Sequence, residues 1–163
     1  MVKLKIADYV TFMNSIFGII SIYFSIAGQI KISLVCLVAA AVFDSLDGEI
    51  ARFMKSENKF GMELDSLSDT ISFVVAPAVL GASLYQNYYI LISSIFFVVC
   101  GVFRLARFNV ESVPYFKGVP TTTNGILLPL LYPFFSEKMF LFYYVIMGIL
   151  MASSIKIKKL KLF

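Results

Sequence analysis

The sequence predicts an all-α integral membrane protein of six transmembrane helices with both termini on the cytoplasmic side. Three observations carry this expectation. Hydrophobic residues make up 60% of the 163 positions and charged residues 15%, where soluble domains carry about 25% charge; the mean hydropathy is +0.87. The apolar residues gather into six stretches, each near the length that crosses about 30 Å of hydrocarbon at about 1.5 Å per residue. The basic residues fall almost wholly on one side of those stretches. The same composition excludes an ordinary soluble domain and a disordered chain.

The six stretches run Tyr9–Ala27, Ile30–Met54, Gly61–Tyr85, Tyr88–Ala106, Val119–Phe135 and Met139–Ile155. The first ends at Gly28-Gln29, a turn signal. The second ends in the polar run Lys55 to Lys59, which returns the chain into the third. Gln86-Asn87 separates the third from the fourth, and Glu111 to Lys117, with Pro114, the fourth from the fifth. Ser136-Glu137-Lys138 separates the last two. Pro77 and Pro129 are expected to kink their helices. Tyr85, Tyr88 and Tyr89 suit an interfacial belt on the outer side. Ser66, Ser68 and Ser72 suit helix–helix hydrogen bonds. No cleavable signal peptide is expected, because the first stretch is long and no small-residue cleavage site follows it. The whole chain, 1–163, reads as one membrane domain.

Orientation follows from the positive charges. With six spans, Lys3, Lys5, Arg52, Lys55, Lys59, Arg104, Arg107, Lys117, Lys156, Lys158, Lys159 and Lys161 share one side, and only Lys31 and Lys138 take the other. Both termini are therefore expected in the cytoplasm. The net charge of +4 reads as topology and attraction to anionic headgroups, with Lys156 to Lys161 as an anchor on anionic lipid; nucleic acid is not an expected partner. The chain has no His, which excludes imidazole ligands and His-based acid–base chemistry. Cys36 and Cys100 lie inside apolar runs without CxxC spacing and read as packing residues.

Four Asp interrupt the second and third stretches: Asp44, Asp47, Asp65 and Asp69. A carboxylate inside a membrane helix costs about 2.5–3.5 kcal/mol on insertion scales, so each is a functional candidate. Asp44 and Asp47 are spaced i,i+3, and Asp65 and Asp69 i,i+4, so each pair shares a helix face. The short turn between the helices puts all four at similar depth, near the cytoplasmic side. Facing carboxylates repel unless a cation neutralises them. Without His or Cys, hard divalent ions fit: Mg²⁺ or Mn²⁺, with Ca²⁺ also able to occupy the site. Four carboxylates can hold two such ions about 3.5–4 Å apart, an arrangement suited to phosphoryl chemistry. Pairing with Arg52, Lys55 and Lys59 is the structural alternative, but the acids outnumber the bases within reach.

Gly48 and Ala51 continue the Asp44/Asp47 face, and Gly61 precedes Asp65 by one turn. Small residues there admit either a close-packed helix or a flat ligand. Arg52 offers a planar fork to a phosphate or carboxylate, or snorkels to the interface. Asn14 lies at the depth of the Asp cluster, where its amide meets a nucleotide, a metal shell or a neighbouring helix. Glu49 and Glu63 lie off the Asp faces.

Residues 44–69 read DSLDGEIARFMKSENKFGMELDSLSD and match D-x2-D-G-x2-A-R-x8-G-x3-D-x3-D at all eight fixed positions. In this the chain resembles the CDP-alcohol phosphatidyltransferase family. The resemblance implies a membrane enzyme that binds a CDP-linked lipid, transfers its phosphatidyl group to an alcohol and releases CMP. It implies that Asp44, Asp47, Asp65 and Asp69 hold two divalent cations on the diphosphate. Gly48, Ala51, Arg52 and Gly61, beside Asp47 and Asp65, would shape the nucleotide pocket, and Asp69 would also serve as general base. It further implies a homodimer. A lipid-linked donor accounts for the depth of the site, and absence of a targeting signal makes the plasma membrane the expected location, with the site facing the cytoplasm.

The motif leaves the acceptor open. Arg104 and Arg107, spaced i,i+3, with Asn109 and Lys117, form a second polar cluster that suits an acceptor carrying a carboxylate or phosphate. The hydroxyls and amide of Thr121, Thr122, Thr123 and Asn124 would hold its polar remainder. Positive-inside topology is the bland account of the same bases. RLARFN and FKGVP resemble the membrane-integrated phosphatidylserine synthase branch, which implies L-serine as acceptor. Glycerol 3-phosphate and inositol phosphate remain alternatives within the same chemistry. An acidic cation channel or transporter explains the four Asp but not Gly48, Ala51, Arg52 and Gly61 at fixed offsets, nor polar groups confined to one depth.

Overall fold

The structure, a computed structural model, describes residues 4–55, 58–110 and 115–158, with the strand residues 115–117 and 156–158 as backbone. The chain forms helices α1 (Ile6–Ile26), α2 (Ile30–Phe53), α3 (Lys59–Asp69), α4 (Ala76–Leu84), α5 (Tyr88–Val110), α6 (Thr123–Leu131) and α7 (Glu137–Ala152). A π-helical segment, Thr70–Val75, joins α3 to α4 without a break, and a 3₁₀ turn, Tyr132–Phe134, extends α6. Strands β1 (Tyr115–Lys117) and β2 (Lys156–Lys158) pair antiparallel, Lys117 opposite Lys156.

Six helical stretches thus stand where six apolar stretches are expected. Three of them, Ile6–Ile26, Lys59–Leu84 and Tyr88–Val110, are long and apolar enough to cross a membrane. The α2 helix has the length, 24 residues, but carries Asp44, Asp47, Glu49 and Arg52 in its second half. The α6 helix and its 3₁₀ turn, and the 16-residue α7, are shorter. The α1 start lies upstream of the predicted one because Asp8 caps it: the Lys5 amide donates to Asp8 Oδ2 at 2.8 Å. Gly28, at φ 74°, turns the chain from α1 into α2.

Large apolar side chains cover much of the outside, while a set of polar side chains is buried beside the apolar core. Ile26, Val35, Phe53, Tyr88, Ile92 and Phe142 are exposed, while Asp8, Thr11, Asn14, Asp47, Asp69, Arg104, Thr121 and Asn124 are buried. Apolar flanks around buried polar groups suit a lipid surround, where interhelical polar contacts help hold the bundle. Ser21 and Ser25 share Ser33 at 2.9 and 2.7 Å, zipping α1 to α2, and Phe17 stacks on Phe43 further along the pair. Phe97, Phe135, Phe140, Tyr143 and Tyr144 form an aromatic core between α5 and α7. Cys36 and Cys100 are free and buried, as expected.

Pro77 does more than kink its helix. Proline has no N–H and crowds the carbonyl four residues earlier, here Phe73. The backbone accommodates this with the π segment, and Asn124 Nδ2 donates to the Phe73 carbonyl at 3.1 Å. Tyr143 Oη donates to Asn124 Oδ1 at 2.9 Å and fixes the amide. The π segment docks on α1 where Gly18 leaves room: a Cβ at Gly18 would stand 2.2 Å from Ser72 Oγ. Ser72 Oγ in turn donates to the Asn14 carbonyl at 3.0 Å. These contacts set the height of Asp69, the last residue of α3.

Candidate functional site

The acidic cluster forms where the second half of α2 meets α3. Asp44, Asp47 and Asp65 each present an oxygen so that the three lie within 4.8 Å of one another. Asp47 is buried, and its Oδ2 has no hydrogen-bond partner among the described residues. Three carboxylates this close, one with an orphaned oxygen, could hold a hard divalent cation.

Asp69 stands outside that trio, beside Asp44, and is held by neutral donors. The Thr121 hydroxyl donates to Asp69 Oδ2 at 3.1 Å, and Asn14 Nδ2 lies 3.4 Å from Oδ1. Asp69 is 6% exposed, and Asn14 and Thr121 are fully buried. With its amide nitrogen on Asp69, Asn14 leaves its own Oδ1 unpartnered. Sequence alone left Asn14 between a ligand role and a packing role; its side chain faces Asp69 and its backbone carbonyl anchors Ser72.

Arg104 closes the site from α5. It is 5% exposed, and its charge lies near Asp69, Asp65 and Asp44. Its Nη1 donates to the Thr121 hydroxyl at 3.3 Å, its plane sits over Phe108, and its Nε has no partner among the described residues. The site therefore carries orphaned acceptors at its acidic end and an orphaned cationic donor at the other. That polarity suits a ligand whose cations meet the carboxylates and whose anionic group meets Arg104.

The small residues of the motif divide by surroundings. A Cβ at Gly48 would meet only Arg52 Nη1, at 3.8 Å, so no packing demand explains this glycine. Arg52 is exposed and Ala51 half-buried on the same face. Gly61 packs on Asp8 instead, whose Oδ1 would lie 3.2 Å from its Cβ, and its amide is capped by Asn58 Oδ1 at 3.0 Å.

The expected second cluster separates. Arg107 does not join Arg104: its guanidinium donates to the carbonyls of Met151, Ala152 and Ser153 at 3.4, 3.1 and 2.8 Å. It caps the C-terminus of α7, where orphaned carbonyls attract a cation. Asn109 bridges to α3, accepting from Ser66 Oγ at 2.9 Å and donating to Glu63 at 3.1 Å. Asn124 serves Phe73, as above, and so does not face the acceptor side. Of the threonines, Thr121 joins Arg104 to Asp69 and Thr122 lies beside Asp44. The side chain of Lys117, and Lys3, Lys159 and Lys161, lie outside the described residues. Ser68 pairs with Ser15 at 2.7 Å, a helix–helix bond as expected.

Asp8 and Thr11 are additions that the sequence reading missed. Both are buried on α1 and lie near Asp47. Their signal was available: Asp8, Thr11 and Asn14 recur every three residues in an otherwise apolar helix, which puts them along one face.

Comparison with known proteins agrees with this geometry. A family model described as CDP-alcohol phosphatidyltransferase matches residues 4–160. The CDP-diacylglycerol–serine O-phosphatidyltransferase of Methanocaldococcus jannaschii is 42% identical over 125 residues, covering 77% of this chain and 59% of that protein. Its namesake in Helicobacter pylori is 37% identical over 166 residues, 91% of this chain and 70% of that one. The archaetidylserine synthase of Methanothermobacter thermautotrophicus is 35% identical over 161 residues, 94% and 69% of the two chains. The chain thus spans 59–70% of the length of these relatives.

Proposed function

Because the chain belongs to the CDP-alcohol phosphatidyltransferase family, we propose that it transfers the phosphatidyl group of a CDP-linked lipid to the hydroxyl of L-serine, forming phosphatidylserine or its ether-lipid equivalent and releasing CMP. The observation that carries this is the pairing of an Asp44–Asp47–Asp65 cluster with a separately held Asp69 and a buried Arg104. Serine as acceptor is supported by the names of the relatives and by the orphaned Nε of Arg104, which suits a carboxylate. The name of the archaetidylserine synthase among them supports an ether-linked donor alongside the diacyl form.

Asp44, Asp47, Asp65 and, beside Asp44, Asp69 are the residues that would hold two divalent cations. When bound, those ions neutralise the diphosphate of the donor and ease the departure of CMP. Asp69 accepts the proton of the serine hydroxyl, which is a poor nucleophile without a base. The hydroxyl oxygen then bonds to the phosphorus that bears the lipid, and the bond from that phosphorus to CMP breaks. Arg104 takes the serine carboxylate and fixes the hydroxyl near Asp69, which lowers the entropic part of the barrier. Arg52 and Gly48, with Ala51 and Gly61, line the donor side, where the open space over Gly48 receives part of the nucleotide. We read all six helical stretches as membrane spans, with both termini and the site at the cytoplasmic face. The charge asymmetry supports this.

The test is CMP release by the purified protein in detergent with Mn²⁺ or Mg²⁺. CDP-diacylglycerol and its ether-linked counterpart are each offered with serine, glycerol 3-phosphate or inositol phosphate. Serine-dependent CMP release is the expected result. Release with a phosphate-bearing acceptor but not with serine would reassign the acceptor; no release with any alcohol would refute the activity.

A further inference from the structure

We propose that Thr121 is a positioning residue for Asp69: its hydroxyl couples the guanidinium of Arg104 to the Asp69 carboxylate and sets the orientation in which that carboxylate meets the acceptor. The inference deepens the reading above and rests on Asp69 being the base. With Asp69 ionised, as a general base must be, the direction of the two hydrogen bonds follows. A threonine hydroxyl has one proton, arginine can only donate, and an ionised carboxylate can only accept. Thr121 Oγ1 therefore accepts from Arg104 Nη1 (3.3 Å) and gives its proton to Asp69 Oδ2 (3.1 Å). A hydroxyl polarised by a cation on one side is a stronger donor on the other.

The backbone around Thr121 is built for this placement. Thr121 begins a turn in which Thr123 N donates to the Pro120 carbonyl at 3.2 Å and Asn124 N to the Thr121 carbonyl at 2.9 Å. The segment before it is fastened to the end of α7. Gly118 N donates to Ile155 O at 2.9 Å and Val119 N to Leu150 O at 3.2 Å. Gly118 adopts φ 74°, and a Cβ there would stand 2.3 Å from the Met151 carbonyl. Arg107 caps the Met151 carbonyl too, along with those of Ala152 and Ser153. The hydroxyl thus reaches Asp69 from a pinned strand-to-helix turn, while Asn14 approaches the other oxygen from α1. Between them they leave the carboxylate one orientation.

The experiment compares Thr121→Val, Thr121→Ala and Thr121→Ser with the parent and with Asp69→Asn. Each is assayed for kcat, for KM of donor and acceptor, and for thermal unfolding in detergent. Thr121→Val keeps the shape and removes the hydroxyl. It is expected to lower kcat about 10- to 100-fold, the scale of a small misplacement of a catalytic group, with both KM values close to parental. Thr121→Ser is expected to restore most of the rate. Thr121→Ala carries the test should the valine variant not fold. A hydroxyl-free variant with parental kcat, or one that raises only the acceptor KM, would overturn the proposal; the latter would make Thr121 an acceptor contact. Asp69→Asn separates the two readings. An inactive Asp69→Asn with a parental Thr121→Val refutes the positioning role alone, whereas an active Asp69→Asn refutes the base and the positioning role with it.

Discussion

Asn124 donates its side-chain amide to the carbonyl of Phe73 at 3.1 Å, the acceptor whose α-helical donor position is taken by Pro77, which has no N–H. A buried carbonyl without a donor costs about 1–3 kcal/mol. Asn124→Leu is therefore expected to lower stability by about that amount, read from thermal or denaturant unfolding in detergent. Pro77→Ala returns an N–H to this turn, so the double variant should lose less than the two single variants together. Strict additivity would refute the coupling.

Two glycines on neighbouring helices should respond in opposite ways to a methyl group. At Gly18 the new Cβ would stand 2.2 Å from Ser72 Oγ and 2.9 Å from Ser72 Cα, and overpacking of that kind costs about 1–3 kcal/mol. At Gly48 there is open space short of Arg52, so Gly48→Ala should hold or raise stability by up to about 1 kcal/mol through helix propensity. It should nevertheless raise the KM for the CDP-linked lipid. Unfolding midpoints and donor titrations on the pair check this; a Gly48→Ala with parental donor KM would remove Gly48 from the pocket.

Arg104 and Arg107 sit three residues apart and should fail differently. Arg107→Gln removes the cation from the end of α7, a loss of about 1.5–3 kcal/mol for hydrogen bonds from a charged group. Its acceptor KM should stay within about twofold of parental once the protein is folded. Arg104→Gln should raise the acceptor KM at least tenfold, about 1.4 kcal/mol of binding. An acceptor effect confined to Arg107→Gln would reverse the assignment.

The acidic cluster predicts a strict requirement for a hard cation. EDTA should abolish CMP release, and Mn²⁺ or Mg²⁺ should restore it. Asp47→Asn should raise the metal concentration needed for half-maximal rate by at least about tenfold, because the orphaned Oδ2 is then an amide. Full activity in EDTA would exclude metal from the reaction.

Much of this site was legible before any fold was known, because the motif residues are local. Asp44 and Asp47 share a face of one helix by spacing alone, as do Asp65 and Asp69, and the short connection fixes their common depth. Insertion cost explains why carboxylates in an apolar run announce function. The same logic applied to Asp8, Thr11 and Asn14, whose three-residue spacing was equally visible. The expected cationic cluster separates: Arg104 turns to Thr121 and Arg107 to the end of α7. Spacing places two side chains on one face but does not say what each meets, and Arg107 meets the end of α7.

By itself, the sequence determined the helical class, the apolar stretches and the two carboxylate pairs, since each follows from composition or from the pitch of a single helix. Tertiary structure alone decided that Asp69, beside Asp44, is held by the donors Asn14 and Thr121. It alone decided that the Phe73 carbonyl, one turn before Pro77 in the π segment, is answered by Asn124, 51 residues away. Both depend on donors brought in from distant parts of the chain. A buried polar group takes whichever partner the packing delivers, and no periodicity within one helix specifies that partner.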